Sequence, residues 1–143
     1  MASIVREVAI GAPAERCWAA LRAFDALHER LAPGFITGLE MIGERDRRIT
    51  FFNGAVATER LVGVDEGAMR IAYAVIDGPL NAAHYNAVAQ VVPSGPGACL
   101  FTWAIDVLPD ELGGRVAELM ELGLRAIATT LSALAGPDQA GGR

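Results

Sequence analysis

Apolar and polar residues alternate along most of the chain, and the period changes near its end. From Pro109 to Ala135, Leu112, Val116, Leu119, Met120, Gly123, Leu124, Ile127, Leu131 and Leu134 recur at helical spacing. Glu118, Glu121, Arg125, Thr129 and Ser132 fall on the opposite side. This predicts one long amphipathic helix, with Asp110 placed to cap its start and Gly136-Pro137 to stop it. Alternation predicts strands over Ile4–Ile10, Phe35–Ile42, Arg48–Phe52, Ala55–Val64, Met69–Ile76, Ala83–Val92 and Cys99–Leu108. The turns between them carry strong breakers, Asn53-Gly54 being a hairpin signal. Pro13 opens a short helix over Ala14–Ala23, and Asp25 a second running to Leu31.

The fold class is therefore α+β. A curved antiparallel sheet of about seven strands wraps around the C-terminal helix, with two short helices after the first strand. A strand-rich chain with one long helix must use that helix to cover the sheet's apolar face. Residues 1–136 are read as a single domain and 137–143 as a disordered tail.

Composition narrows the function classes. Apolar residues make up 52% of the 143, so a sizeable core is available, yet aromatics are only 6%. A core so rich in small residues can be left incompletely filled, which composition alone does not establish as a cavity. The net charge of −5, with no basic run, argues against nucleic acid as a partner and against attraction to an anionic membrane. No stretch is long and apolar enough for membrane insertion, and the N-terminus reads as a strand. Cys17 and Cys99 have neither metal-site spacing nor a disulfide framework, so reduced thiols and a cytoplasmic location are expected. With His28 and His84 as the sole histidines, neither a metal nor a cofactor is expected, and no nucleophile elbow, phosphate loop or dinucleotide fingerprint is present.

Three phrases carry a resemblance: Ala12-Pro13-Ala14-Glu15-Arg16-Cys17-Trp18-Ala19-Ala20-Leu21, then Ala57-Thr58-Glu59-Arg60-Leu61-Val62-Gly63-Val64-Asp65, then Phe101-Thr102-Trp103 followed by Asp106-Val107-Leu108-Pro109. With the element order and length, they resemble the START-like helix-grip superfamily, also called SRPBCC. It includes polyketide cyclase/dehydrase and lipid-transport proteins, birch-pollen-allergen-like proteins and plant abscisic-acid receptors. The resemblance implies a cavity between the concave sheet and the long helix, holding a small, hydrophobic polyketide-, lipid- or aromatic-like molecule. Fold alone does not separate carriers, receptors and enzymes.

Strand phase sorts the side chains. Cys99, Phe101, Trp103, Ile105 and Val107 form the inward set of the last strand; Tyr85, Ala87, Ala89 and Val91 that of the strand before. Ile71, Tyr73 and Val75 go together, as do Ile49 and Phe51, and Phe35, Thr37, Leu39 and Met41 fit the second strand's inner side. Phe51, Tyr73, Tyr85 and Trp103, with Met120, Gly123 and Ile127 of the helix, are thus candidate ligand-binding residues. Gly123 either opens space for a ligand or lets a strand or Trp side chain approach closely. Tyr73 and Tyr85 need a partner for their hydroxyls, from a ligand, a water or the protein.

Glu59 is the sharpest single candidate, because it resembles an inward carboxylate of the abscisic-acid receptors, where Tyr85 resembles a cavity tyrosine. Alternation alone leaves its face open. A strict Asn53-Gly54 turn sets Glu59 opposite Arg48 as a cross-strand ion pair, while a bulged three-residue turn sets it opposite Ile49 on the inner face. An inward Glu59 would serve as a general base or a hydrogen-bonding anchor. His84, Asn86 and Asp106 fall on the outer face. The Asn53-Gly54 turn is too short for the mobile gate of the receptors, leaving Asp77–Asn81 as the flexible mouth.

Three function classes follow. The first is a polyketide cyclase/aromatase-like enzyme, with Glu59 as base and Tyr85 or Tyr73 as donor. The second is a non-catalytic carrier or sensor in which the same residues anchor the ligand's polar end. A third is a domain that modulates a protein partner and keeps only a vestigial cavity. The exposed strand edges permit either a monomer or a homodimer.

Overall fold

A computed structural model describes residues 2–135, so the expected tail lies outside the described residues. The chain runs β1 (Ala2–Ile10), α1 (Ala14–Arg22), a 3-10 turn (Phe24–Ala26), a π-helical turn (Leu27–Leu31), then β2 (Ile36–Met41), β3 (Asp46–Phe51), β4 (Val56–Asp65), β5 (Arg70–Asp77), β6 (His84–Gly95) and β7 (Ala98–Leu108). A 3-10 turn (Asp110–Leu112) leads into α2 (Gly113–Ser132), and another (Ala133–Ala135) follows it. Pro109 and Leu112, not Asp110, occupy the cap positions of the last two helical segments, and neither makes a side-chain capping bond. Asp25 likewise lies inside its 3-10 turn rather than at the cap.

All strands belong to one antiparallel sheet in the order β1-β7-β6-β5-β4-β3-β2. β1 crosses to pair with β7, and β2 through β7 meander. Antiparallel sheets that bury one face alternate apolar and polar residues, which is why the strands were readable. α2 buries Val116, Met120, Gly123, Leu124, Ile127 and Leu131 against the sheet. Its outward Glu121 accepts a bond from Arg6 of β1 at 2.9 Å. α1 buries Cys17, Trp18 and Leu21. It is clamped to the β4–β5 turn through Glu66, which accepts from Trp18 Nε1 at 3.0 Å and from Arg22 Nε at 2.5 Å.

Two register shifts interrupt the pairing of β4 with β5, at Thr58/Glu59 and at Leu61/Gly63. Such bulges bend and twist a strand.

The β3–β4 turn is a three-residue turn, as in the second expected form, but its register differs from the one expected. Phe51 N donates to Ala55 O, so Phe52, Asn53 and Gly54 all lie in the loop. Gly54 takes a φ of 86°, and Asn53 Oδ1 accepts from Ala55 N. The strands slide accordingly, and Glu59 pairs with Arg47, not with Arg48 or Ile49. Arg47 shares the inward phase of Ile49 and Phe51, so Glu59 turns inward too. A second correction concerns β2. A register shift between Ile36 and Gly38 buries Ile36 and leaves Thr37 exposed, while Met41, at the sheet's edge, is 37% exposed and outside the core.

Candidate functional site

The concave face of the sheet and α2 do not meet everywhere. Between them lies an inner chamber of about 70 Å³. Its walls are Ile71 and Tyr73 of β5, Phe101, Trp103 and Ile105 of β7, and Met120 and Ile127 of α2. Leu27 and Leu31, from the π-helical turn, close one end. An outer chamber of about 310 Å³ lies beyond, between the β3–β4 turn, the β5–β6 loop and the start of α2. Asn53, Asp77, Asn81 and Arg115 give it a polar rim. Phe51, Glu59, Tyr85 and Leu119 line both chambers and so stand at their junction.

Glu59 is 6% exposed and Arg47 5%. Arg47 Nε and Nη2 both reach the same oxygen, Glu59 Oε1, at 2.9 and 2.7 Å. Arg47 Nη1 donates to Phe24 O at 2.8 Å. The guanidinium lies over the Phe24 ring, 3.8 Å from its centroid, and 5.5 Å from that of Tyr73. Buried charges persist in proteins when paired and hydrogen-bonded, and this pair meets both conditions. Glu59 Oε2 is different. It accepts no protein hydrogen bond among the described residues, and it is not sealed off as an orphaned buried atom.

The tyrosines divide the same way. The Tyr73 hydroxyl accepts a bond from Trp103 Nε1 at 3.1 Å, so the protein supplies its partner. The Tyr85 hydroxyl has none among the described residues, although its ring is half-buried at the junction. Burial is the main cause that pushes both phenols above their ordinary value, and the Glu59 charge adds to it. Both therefore stay neutral donors near pH 7.

Seven of the eight residues singled out in the sequence border this cavity: Phe51, Glu59, Tyr73, Tyr85, Trp103, Met120 and Ile127. Gly123 does not. A Cβ placed there would lie 3.1 Å from Trp103 Cζ3 and 3.2 Å from Phe35 Cε2, so this glycine admits two rings and opens no space for a ligand. Arg47 lies just outside the strand expected over Arg48–Phe52 and was not among the candidates. Its signal was present, since 47, 49 and 51 share one strand face. Leu27 and Leu31 carried no such signal, because their inward placement depends on the π-helical turn. His84, Asn86 and Asp106 lie on the outer face, where His84 bonds Asn86 and Ser3 donates to Asp106.

Comparison with known proteins agrees with this architecture. The family described as polyketide cyclase/dehydrase and lipid transport matches residues 1–136. The protein XoxI from Bacillus cereus superposes with a TM-score of 0.83 at 20% identity, covering 96% of this chain and 100% of its own. A START superfamily protein from Mycobacterium smegmatis gives 0.69 at 18%, covering 90% and 98%. Norcoclaurine synthase from Thalictrum flavum, in complex with dopamine and hydroxybenzaldehyde, gives 0.68 at 25%, covering 93% and 85%. No curated protein matches the chain. Among the described residues no helix is long and apolar enough to cross a membrane, and no cluster of side chains could hold a metal ion.

Proposed function

The chain belongs to the polyketide cyclase/dehydrase and lipid-transport family, and from that premise we propose that it binds a compact hydrophobic molecule in the two-chambered cavity. The observation that carries this reading is the junction, where an open carboxylate oxygen and an unpartnered phenol meet inside an apolar enclosure. Apolar walls with a few placed polar groups are the usual make-up of a small-molecule site. That norcoclaurine synthase holds two small aromatic molecules supports a ligand of ring size rather than a long-chain lipid. Phe51, Trp103, Met120 and Ile127 supply contact area, Tyr73 is held by Trp103, and Glu59 and Tyr85 fix the polar end. The buried thiols fit a cytoplasmic setting.

Native and denaturing mass spectrometry of the purified protein tests this. A co-purifying compound released on denaturation is the expected result. Apo protein that also fails to take up any aromatic probe would overturn it.

The shared position of Glu59 and Tyr85 at the junction favours a second reading, in which the protein is a cyclase/aromatase-like enzyme. Glu59 Oε2 would take a proton from a carbon next to a carbonyl, breaking the C–H bond, while the Tyr85 hydroxyl stabilises the enolate oxygen. Glu59→Gln discriminates. An enzyme so modified binds its substrate and leaves it unchanged, whereas a carrier's ligand is unchanged with either protein.

A further inference from the structure

We propose that the cavity selects a neutral hydroxyl-bearing ligand, a phenol or alcohol on an apolar ring frame, and rejects carboxylates. This rests on the binding reading above and specifies its ligand. The argument begins with Arg47, the sole cation among the described residues that border the inner chamber. A buried arginine is the obvious receptor for a fatty or aromatic acid, but this one is already committed. Its Nε and Nη2 are taken by Glu59 Oε1, its Nη1 by the Phe24 carbonyl, and one flat face by the Phe24 ring.

At the junction of the chambers, the polar groups without a protein partner among the described residues are Glu59 Oε2 and the Tyr85 hydroxyl. The first only accepts a hydrogen bond, and the second donates one. A ligand hydroxyl satisfies both at once, giving its proton to Glu59 and accepting from Tyr85. An ammonium can donate to Glu59 but offers Tyr85 no acceptor. A carboxylate can accept from Tyr85 but brings a second negative charge beside Glu59, and the cation there, Arg47, is already paired with Glu59. An anionic group on the ligand would therefore remain at the outer rim, where Arg115 stands half-exposed on the solvent side.

The test is a matched series at pH 7: naphthalene, 2-naphthol, 2-naphthylmethylammonium and 2-naphthoate, measured by isothermal titration calorimetry. The expected order is naphthol tightest, at least tenfold above naphthoate, with naphthalene in between. Tyr85→Phe, which removes one hydroxyl and no buried ion pair, should lower naphthol affinity about fivefold and leave naphthalene unchanged. Naphthoate binding as tightly as naphthol, or a naphthol affinity no higher than that of naphthalene, would overturn the proposal while leaving the cavity reading intact. If no compound binds, naphthalene included, the cavity reading itself fails. The wild-type series decides without relying on any variant's folding.

Discussion

Gly123 and Cys17 show how single side chains set the tolerances of this interior. Replacing Gly123 by Ala adds helix propensity of about 1 kcal/mol. The new methyl, however, meets Trp103, which is tethered through Nε1 to Tyr73, and Phe35, which stacks on Phe52 and meets Phe51 edge-on. Neither ring can yield cheaply, so Gly123→Ala should lower stability by about 1 kcal/mol net, measured by urea unfolding. Cys17 and Cys99 are both buried free thiols. Burial, aided by the neighbouring Cys99 thiol, pushes the Cys17 thiol from 9.0 to about 12. Below pH 9 the folded and unfolded chains both keep this proton and stability is unaffected. Between pH 9 and about 12 only the unfolded chain releases it, so stability falls as pH rises. The raised phenols of Tyr73 and Tyr85 act in the same direction above pH 10. Alkaline titration of the unfolding midpoint should show this decline, and Cys17→Ala should make it shallower. Both thiols should also resist an exposed-thiol reagent at pH 8 until urea is added.

At the scale of elements, the Arg47–Glu59 pair is a joint. It ties β3 to β4 and, through Phe24 O, ties both to the helical turns that close the inner chamber. Arg47→Met should cost about 3–5 kcal/mol, because it strands a buried carboxylate. Pairing it with Glu59→Leu should recover most of that loss, and hydrogen exchange over 24–31 should rise in both variants because the tie to Phe24 is gone. The elements themselves were legible in the sequence, since a half-buried antiparallel strand repeats every second residue and α2 every three to four. The joint was not. It depends on the count of residues in one turn, and Phe52 joining Asn53-Gly54 shifts every pairing along β3 and β4 by one. Periodicity cannot see that step, because a slip of one exchanges the two faces while preserving the alternation. The same blindness put Met41 and Thr37 inside, and only the irregular pairing at Ile36/Gly38 corrects them.

For the molecule as a whole, α2 is the element on which the rest depends, yet the sheet does not close on it completely. The outer chamber is bounded by the β5–β6 loop, where Asn81 holds a φ of 50° and Leu80 and Ala82 pack inward. A ligand that spans both chambers would replace missing contacts on several strands at once. At one hundred times its dissociation constant it should add about 2.7 kcal/mol, raising the melting temperature by roughly 8–10 °C in a chain of this size. Leu80→Gly, which removes wall from the outer chamber alone, should reduce that shift without lowering the melting temperature of the free protein by more than a few degrees.

The apolar inner chamber also sets the protein's response to compression. Space enclosed by the folded chain disappears when the chain opens to water, so the unfolded state occupies the smaller volume and pressure favours it. The free protein should therefore unfold at a lower hydrostatic pressure than its thermal stability suggests, and a fitting occupant should restore resistance in proportion to the void it fills. High-pressure fluorescence of Trp103, which borders the inner chamber, would follow that recovery without any knowledge of what the occupant does next.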